Sequence, residues 1–144
     1  MRLSCRGRYV TRAMIELALH HGKEPLPLAT IEKNQGISKK YLTQLMGVLK
    51  LTGLIRVVRG KNGGYLLARA PSEITLADIL YAVEGDMSLI DCVKDAKLCY
   101  RSDECISRPT WVELSELIKD YLGTTTLEDI LKKGIFLQMS GANK

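Results

Sequence analysis

The feature that most constrains the fold is a helical apolar pattern that stops at Gly36 and starts again after Ser38. A short helical segment leads from Leu28 to this glycine, and the second pattern follows the serine at helical spacing: Leu42, Leu45, Met46 and Leu49. Glycine adopts the left-handed conformation that ends many helices, and serine is a favoured helix N-cap. The sequence therefore predicts two helices joined by a tight turn.

A longer helix is predicted before this pair, from about Arg6 to His21, because one of its faces would carry Val10, Ala13, Met14, Leu17 and Ala18. After the pair the period changes. The segment from Ile55 to Arg59 is rich in β-branched residues, and Asn62-Gly63, a strong hairpin signal, separates it from the apolar run Tyr65 to Leu67. A hairpin directly after a helix-turn-helix is a wing. We therefore predict a mainly α fold with a small β-hairpin wing, a winged helix-turn-helix followed by a long dimerisation helix.

Charge is distributed unevenly along the chain. Residues 1–70 contain 13 Lys/Arg and 3 Asp/Glu, a net charge of +10, whereas residues 71–144 contain 8 Lys/Arg and 13 Asp/Glu, a net charge of −5. A strongly basic half is typical of a surface that binds a polyanion, although a solvated basic surface without a partner has the same composition. We assign residues 1–70 to DNA binding and residues 71–144 to sensing and dimerisation.

Polar side chains on the second helix of the pair and on the wing are suited to double-stranded DNA. Such a helix can lie in a major groove when its exposed face is polar, and a wing can bring cations to the phosphates or into the minor groove. The candidate contacts are Ser38, Lys39, Lys40, Tyr41, Thr43 and Gln44 on the helix, and Arg59 and Lys61 on the wing.

Three cysteines lie in the acidic half in the arrangement Cys92-x6-Cys99-x5-Cys105. Thiolates are soft ligands that suit iron–sulfur clusters, and a loop with these intervals can bring three sulfurs to one cluster. Zinc sites more often contain Cys-x2-Cys pairs, which this sequence lacks. From the residues alone, a bound metal or cluster and a set of unligated thiols are both open.

The chain is expected to be cytoplasmic. It contains no run of about 18 apolar residues, and no apolar stretch follows the charges at its start, so neither a membrane span nor a signal peptide is predicted. In a reducing compartment, cysteines are more often thiols or metal ligands than structural disulfides.

A further helix is predicted after Pro109, with an apolar stripe formed by Trp111, Leu114, Leu117, Ile118, Tyr121 and Leu122. The stripe could pack on the core of the chain or on the same helix of a second copy. We favour the second copy, hence a homodimer, because a palindromic DNA site requires a twofold axis. Two similar capped helix starts, at Thr75 and at Thr126, flank this segment and are too short to indicate a repeat.

These residues resemble the Rrf-type winged-helix transcription regulators, which include the IscR, NsrR, RirA and CymR groups. The resemblance spans nearly the whole chain and depends most on Met1-Arg2-Leu3-Ser4 with Gly7-Arg8-Tyr9, on Gly36-Ile37-Ser38 with Tyr41-Leu42 and Gln44-Leu45, and on Arg59-Gly60 with Gly63-Gly64-Tyr65-Leu66-Leu67. It implies a homodimer on a roughly palindromic operator, with residues 38–44 in the major groove and the Arg59 wing in the minor groove. We expect a repressor, although the sequence itself does not distinguish repression from activation. The resemblance also implies an iron–sulfur cluster held by Cys92, Cys99 and Cys105.

The sequence departs from the resemblance at the fourth cluster ligand. Cluster-binding relatives have a histidine or an acid where this chain has Arg108 and Arg8, and a cation is not a plausible iron ligand. Three alternatives stay open: a 4Fe-4S cluster with one open iron, a 2Fe-2S cluster with an unusual fourth ligand, or no stable cluster. Cys5, reaching across the dimer, is the tentative fourth ligand, and Asp103 and Glu104 are the local alternatives.

Two other functions compete with iron–sulfur sensing. The first is a cluster-free regulator of the same fold, as in the CymR group, that acts by thiol oxidation or through a protein partner. The second is an enzyme, which is disfavoured because the chain lacks a Cys-x-x-Cys motif, a nucleophile elbow and a His-Glu-x-x-His motif. Lys40 and Thr43 stand where the IscR group usually has a small polar residue and a glutamate, so no operator sequence is implied.

Overall fold

The computed structural model describes residues 3–141, so Met1 and Arg2 of the opening motif lie outside the described residues. In chain order, the described residues form α1 (Cys5–Leu19), α2 (Leu28–Gln35), α3 (Lys39–Leu51), β1 (Ile55–Val58), β2 (Gly64–Leu67), α4 (Leu76–Glu84), α5 (Asp91–Lys94), α6 (Arg108–Thr124) and α7 (Leu127–Gly141). Short 3-10 turns at Pro71–Glu73 and Ala96–Leu98 lie between these elements.

The helix boundaries follow the local sequence signals. Ser4 and Ser38 are the N-caps of α1 and α3, and each hydroxyl accepts a hydrogen bond from the backbone N–H three residues later. Gly36 ends α2 with φ of 62°, a left-handed conformation that glycine adopts without steric cost. The three helices predicted for the basic half are confirmed, although α1 ends slightly early because His20 is already its C-cap.

The predicted wing is also confirmed. Strands β1 and β2 pair antiparallel, with Ile55 opposite Leu67 and Val58 opposite Gly64. Ile55 and Leu67 are buried at the base of the hairpin, whereas Arg59 and Lys61 near its tip are exposed. The hairpin therefore has one end held by the core and one end in solvent.

One hydrophobic core joins the two halves of the sequence. The basic half contributes Val10, Met14, Leu17, Ile31, Leu42, Met46 and Leu49, and the acidic half contributes Ile74, Ile79, Val83 and Leu127. A fully buried Leu or Ile side chain contributes about 1.5–3 kcal/mol relative to an exposed one, so both halves are needed for a stable fold. The division at residue 70 stays a prediction about function.

The two similar capped helix starts lie side by side. Thr75 and Thr126 form an antiparallel β-bridge. The carboxylate of Asp78 accepts the N–H of Thr75 at 2.9 Å, and that of Asp129 accepts the N–H of Thr126 at the same distance. The first residues of α4 and α7 therefore lie next to each other. This arrangement brings Leu127 into the core, where it has no exposed surface.

The last helix is mostly exposed beyond its first turns. Its first turns pack on α1, but its second half exposes Ile135, Phe136, Leu137 and Met139. None of the described helices is both long and apolar enough to cross a membrane.

Candidate DNA interface and cysteine loop

The outer face of α3 carries most of the predicted DNA contacts. Its inner face packs into the core through Leu42, Leu45, Met46 and Leu49. The helical period consequently turns the other side chains to solvent. Exposed there are Ser38, Lys39, Lys40, Thr43 and Gln44.

Tyr41 differs from the other predicted contacts because it is half-buried. Its ring meets that of Tyr9 on α1 edge to face, with centroids 6.0 Å apart and planes at 77°. The guanidinium of Arg12 lies 5.7 Å from the centroid of the Tyr9 ring. Replacing Tyr41 would therefore change the packing of α1 on α3 as well as any contact with a base.

The wing is tied to the turn before α2 by a contact that the sequence analysis missed. Leu26 and Tyr65 form an isolated antiparallel bridge, with backbone hydrogen bonds of 3.0 and 2.9 Å. A Cβ atom at Gly64 would lie 2.5 Å from the carbonyl carbon and oxygen of Leu26, so only glycine fits this close approach. The sequence signal for this close approach was Gly64, a second glycine directly after the Asn62-Gly63 turn.

Two of the three acids of the basic half are engaged in hydrogen bonds with the fold. Glu16 is 6% exposed, and its carboxylate accepts hydrogen bonds from the side-chain amides of Asn34 and Gln35 at the end of α2. The carboxylate of Glu32 accepts the N–H of Lys39 at 3.1 Å. The third acid, Glu24, is exposed and lines a surface pocket together with Lys61 of the wing. The exposed face of α3 therefore stays cationic, whereas the wing tip has one acid beside its lysine.

The segment from Gly85 to Ser107, which we name the cysteine loop, is held at both ends. Cys92 lies on α5, Cys99 follows the second 3-10 turn, and Cys105 precedes α6. All three thiols are half-exposed and free. The guanidinium of Arg108 donates to the carbonyl oxygen of Cys92 at 3.1 Å, which fixes α5 against the start of α6.

The thiols are not gathered into a ready-made metal site. Among residues 3–141, no group of three or more His, Cys, Asp or Glu side chains is placed to hold a metal ion. The short α5 and the 3-10 turn that follows it separate the cysteines along the loop. The expected convergence of three sulfurs would thus require the loop to rearrange.

Two cysteines have distinctive surroundings. Hydrogen bonding with the Ser107 hydroxyl, together with the backbone N–H of Arg108, lowers the pKa of the Cys105 thiol below its ordinary value. Cys5, the candidate fourth ligand, is exposed in the first turn of α1, where its sulfur accepts a hydrogen bond from Arg8 at 2.9 Å. A lower pKa makes Cys105 more thiolate-like at neutral pH.

The stripe on α6 is only partly covered by the chain itself. Leu122 is 8% exposed and packs with Ala77 and Leu80 of α4. The outer part of the stripe is exposed, with Trp111 at 40%, Leu114 at 39%, Leu117 at 60% and Tyr121 at 57%. The chain's own core therefore buries one edge of the stripe and leaves the rest exposed. Of these exposed side chains, Tyr121 is contacted by Lys133 of α7, whose ammonium group lies 5.4 Å from the ring centroid.

Two carboxylates that organise these surfaces were not identified from the sequence. Glu16 stands between apolar residues on the inner side of α1, and an acid in such a place is a signal of a buried hydrogen-bond network. Glu84 accepts hydrogen bonds from Ser4 and Gly7, which lie 80 and 77 residues away in the sequence. No local pattern indicates a contact of that range.

Comparison with known proteins fits this arrangement. The model of the Rrf2 family, described as an iron-dependent transcriptional regulator, matches residues 3–133. This chain belongs to the Rrf2 family. It is 38% identical over 141 residues to the HTH-type transcriptional regulator IscR of Photorhabdus laumondii, an alignment that covers 98% of this chain and 85% of the relative.

Solved Rrf2-like structures have the same architecture. The structure of CymR, the global cysteine regulator of B. subtilis, superposes with a TM-score of 0.80 at 34% identity, covering 92% of this chain and 98% of that one. IscR of T. potens superposes with a TM-score of 0.75 at 34% identity, covering 93% and 88%. The mainly helical winged fold is thereby confirmed. This Rrf2 member is a DNA-binding transcription regulator and not an enzyme.

Proposed function

We propose that this Rrf2 member is a homodimeric repressor that senses iron–sulfur or redox status through a cluster bound by Cys92, Cys99 and Cys105. The observation that carries the proposal is that one chain combines an exposed cationic face on α3 with a loop of three free, half-exposed thiols. The loop ends directly at α6, the helix whose apolar stripe is largely exposed. A change in the loop can therefore act on the relation between two copies.

In the proposed complex, each copy offers residues 38–44 of α3 to a major groove and the wing to the neighbouring minor groove. Ser38, Lys39, Lys40, Tyr41 and Gln44 are the groups we assign to this helix contact. Arg59 and Lys61, both exposed, are assigned to the phosphates and the minor groove. Residues 1–70 supply this DNA contact, and residues 71–144 supply the sensor and the dimer contact.

The second copy is proposed to cover the outer stripe of α6. Exposed aromatic and aliphatic side chains that are contiguous on a helix mark interaction surfaces in soluble proteins. Trp111, Leu117 and Tyr121 are each at least 40% exposed, so a second α6 can bury them. A twofold axis through this helix pair would present two reading faces to one operator.

The chemistry of the cysteine loop fits an iron–sulfur cluster in its donor set. Three thiols without disulfide partners are the soft ligands that such a cluster takes. When bound, a 2Fe-2S or 4Fe-4S cluster would supply a group whose stability depends on iron and oxidants. The chain's own residues would give up three thiol protons, and the loop would move to bring their sulfurs together.

The fourth ligand is the open part of the site. Arg108 is engaged with the Cys92 carbonyl and contributes a cation. Cys5 is exposed at the start of α1, and we assign the Cys5 thiol of a second copy as the fourth ligand.

A cluster-free regulator that acts by thiol oxidation or through a protein partner is the second candidate. It is favoured by the separation of the three thiols in the described residues and by arginine at the position of the expected fourth ligand. In that case oxidation of the thiols, rather than cluster loss, changes the loop.

Anaerobic purification with an absorption spectrum and iron and sulfide counts separates the two candidates. We expect iron and sulfide in the wild-type protein, their loss in a Cys92→Ser variant, and operator affinity that differs between loaded and stripped protein. Iron-free protein whose operator affinity changes on thiol oxidation would favour the second candidate. A monomeric protein without salt-sensitive affinity for any genomic fragment would refute both.

The role of Cys5 needs its own measurement. Cys5→Ser should shorten the lifetime of the reconstituted cluster in air, because one thiolate ligand is lost. Absorbance and lifetime equal to those of wild type would remove Cys5 from the ligand set.

A further inference from the structure

The N-terminus of α1 is capped by a side chain from α4. The Glu84 carboxylate accepts the backbone N–H of Gly7 at 3.0 Å and the hydroxyl of Ser4, which is itself the N-cap of α1. The first turn of α1 contains no acid of its own and carries Arg6 and Arg8 instead. Because a helix N-terminus favours negative charge, Glu84 supplies what the local sequence of α1 lacks.

The contact is close as well as polar. A Cβ atom at Gly7 would lie 2.5 Å from the Glu84 carboxylate oxygen and 3.3 Å from a methyl carbon of Leu80. The glycine therefore lets the two helices approach until the carboxylate reaches the backbone of α1. Among the described helix pairs, α1 and α4 pack most extensively.

Glu84 is also the residue from which the cysteine loop departs. It is the last residue of α4, and Gly85 follows with φ of 72°. Next in the chain, Asp86 pairs with Lys94 at 3.2 Å, and Lys94 lies on the same short helix as Cys92. A displacement of Cys92 therefore acts on a segment that ends at Glu84.

On its other side, α1 contacts α2 and α3, the two helices of the helix-turn-helix, which we call the DNA-reading unit. Tyr9, half a turn beyond Gly7, packs on Tyr41 of α3. Arg12 donates to the side-chain oxygen of Gln35, at the end of α2, at 2.9 Å. The orientation of α1 thus bears directly on the position of α3.

We propose that Glu84 is the positioning residue that couples the cysteine loop to the DNA-reading unit, by capping α1 in one loop state and withdrawing from it in the other. This inference rests on the proposed function, because it assumes that the loop has two states that affect operator binding. In this proposal Glu84 acts through α1, by its hydrogen bonds to Ser4 and Gly7. Coupling of two sites requires an element whose equilibrium both sites bias, and the α1–α4 contact is that element.

The test measures the affinity of the full chain for operator DNA in both loop states. The DNA is a genomic fragment selected beforehand for binding to the wild-type protein. The states are protein reconstituted anaerobically with ferrous iron and sulfide, and protein stripped with a chelator; if no iron is retained, reduced and diamide-oxidised protein replace them. We expect the ratio of the two dissociation constants to be at least about fivefold for wild type. Glu84→Gln should reduce it to below about twofold, because the charge that holds the N-terminus of α1 is gone.

A second variant displaces the carboxylate without removing its charge. Gly7→Ala places a methyl group where the Glu84 oxygen lies, so the same loss of response is expected. Asp129→Asn is the control, since Asp129 also stabilises a helix start through its carboxylate, but it does so within the first turn of α7 by accepting the N–H of Thr126. Its response ratio should equal that of wild type even if its thermal stability falls.

The fluorescence of Trp111, the single tryptophan, reports the loop independently of DNA, because it lies one turn beyond Arg108. In Glu84→Gln the change in Trp111 emission between the two states should persist while the affinity ratio collapses. A Glu84→Gln ratio equal to that of wild type would overturn the inference and leave the proposed function standing. A wild-type ratio of one would refute the sensing function and the inference together.

Discussion

Gly64→Ala tests whether the wing is held by its bridge to the turn before α2. The added Cβ would lie 2.5 Å from both the carbonyl carbon and oxygen of Leu26 and 2.9 Å from the nitrogen of Pro27. All three are backbone atoms, so a side-chain rotation cannot relieve the overlap. The strand must shift, and the two backbone hydrogen bonds between Leu26 and Tyr65, of 3.0 and 2.9 Å, must lengthen or break.

The size of the effect follows from those two bonds. A backbone hydrogen bond contributes about 1 kcal/mol net, and leaving a buried partner unsatisfied costs about 1–3 kcal/mol. Leu26 is 4% exposed, so its polar backbone groups cannot turn to water instead. We expect the free energy of unfolding to fall by about 2–4 kcal/mol.

Urea denaturation followed by circular dichroism measures this loss, and operator titration measures the consequence for the wing. Gly134→Ala is the matched control, because nothing lies within 4 Å of the position where its Cβ would stand in α7. That substitution should stabilise the protein by up to about 1 kcal/mol through helix propensity. If Gly64→Ala unfolded at the same urea concentration as wild type, the bridge would not hold the wing.

The remaining predictions concern the DNA face, the dimer and the loop. Lys61→Ala should weaken binding to all sequences alike and lower the salt slope of operator affinity by about one, as titrations at several salt concentrations would reveal. Gln44→Ala should instead relax the preference at one base position, costing about 1–3 kcal/mol on the preferred site only; a uniform loss on all sites would contradict the assignment. Leu117→Glu should give a folded monomer in sedimentation experiments, since it places a charge in the outer stripe of α6, whereas an intact dimer would exclude that stripe as the interface. Ser107→Ala should move the pH midpoint of Cys105 alkylation in stripped protein upward, because the hydrogen bond that lowers this thiol's pKa is lost; mass spectrometry follows the reaction, and an unmoved midpoint would assign the shift to other groups.

The parts of the fold that could be predicted are those encoded by neighbouring residues. Ser38 caps α3 three residues before the N–H that it accepts, Gly36 ends α2, and Asn62-Gly63 lies in the hairpin loop. Each signal acts within a few residues, so periodicity and capping rules were sufficient to find it. The apolar stripe on α6 could also be predicted from residue spacing. The fraction of that stripe that the core of the same chain buries could not.

Contacts between distant segments left no such trace. Glu84 with Gly7, and Leu26 with Tyr65, join residues that no pattern relates, because what matters is the space between two backbones after packing. The cysteine loop was hard to predict for another reason. Its spacing allows three sulfurs to meet at one cluster, and the described residues contain no ready-made group of metal ligands. Ligand spacing in a sequence does not by itself supply the energy that gathers the ligands, so the cluster site stays a prediction.

The bridge between Leu26 and Tyr65 has a consequence for how DNA is read. It ties the hairpin to the turn that precedes the helix pair. In the proposed complex, α3 and the wing would therefore meet the duplex at a fixed separation. Two DNA contacts at a fixed separation cannot adapt to a groove that is too wide or too narrow. The duplex would then have to bend or twist to fit the protein. Operators whose base steps deform at low energetic cost would bind more tightly, even where no side chain contacts those steps.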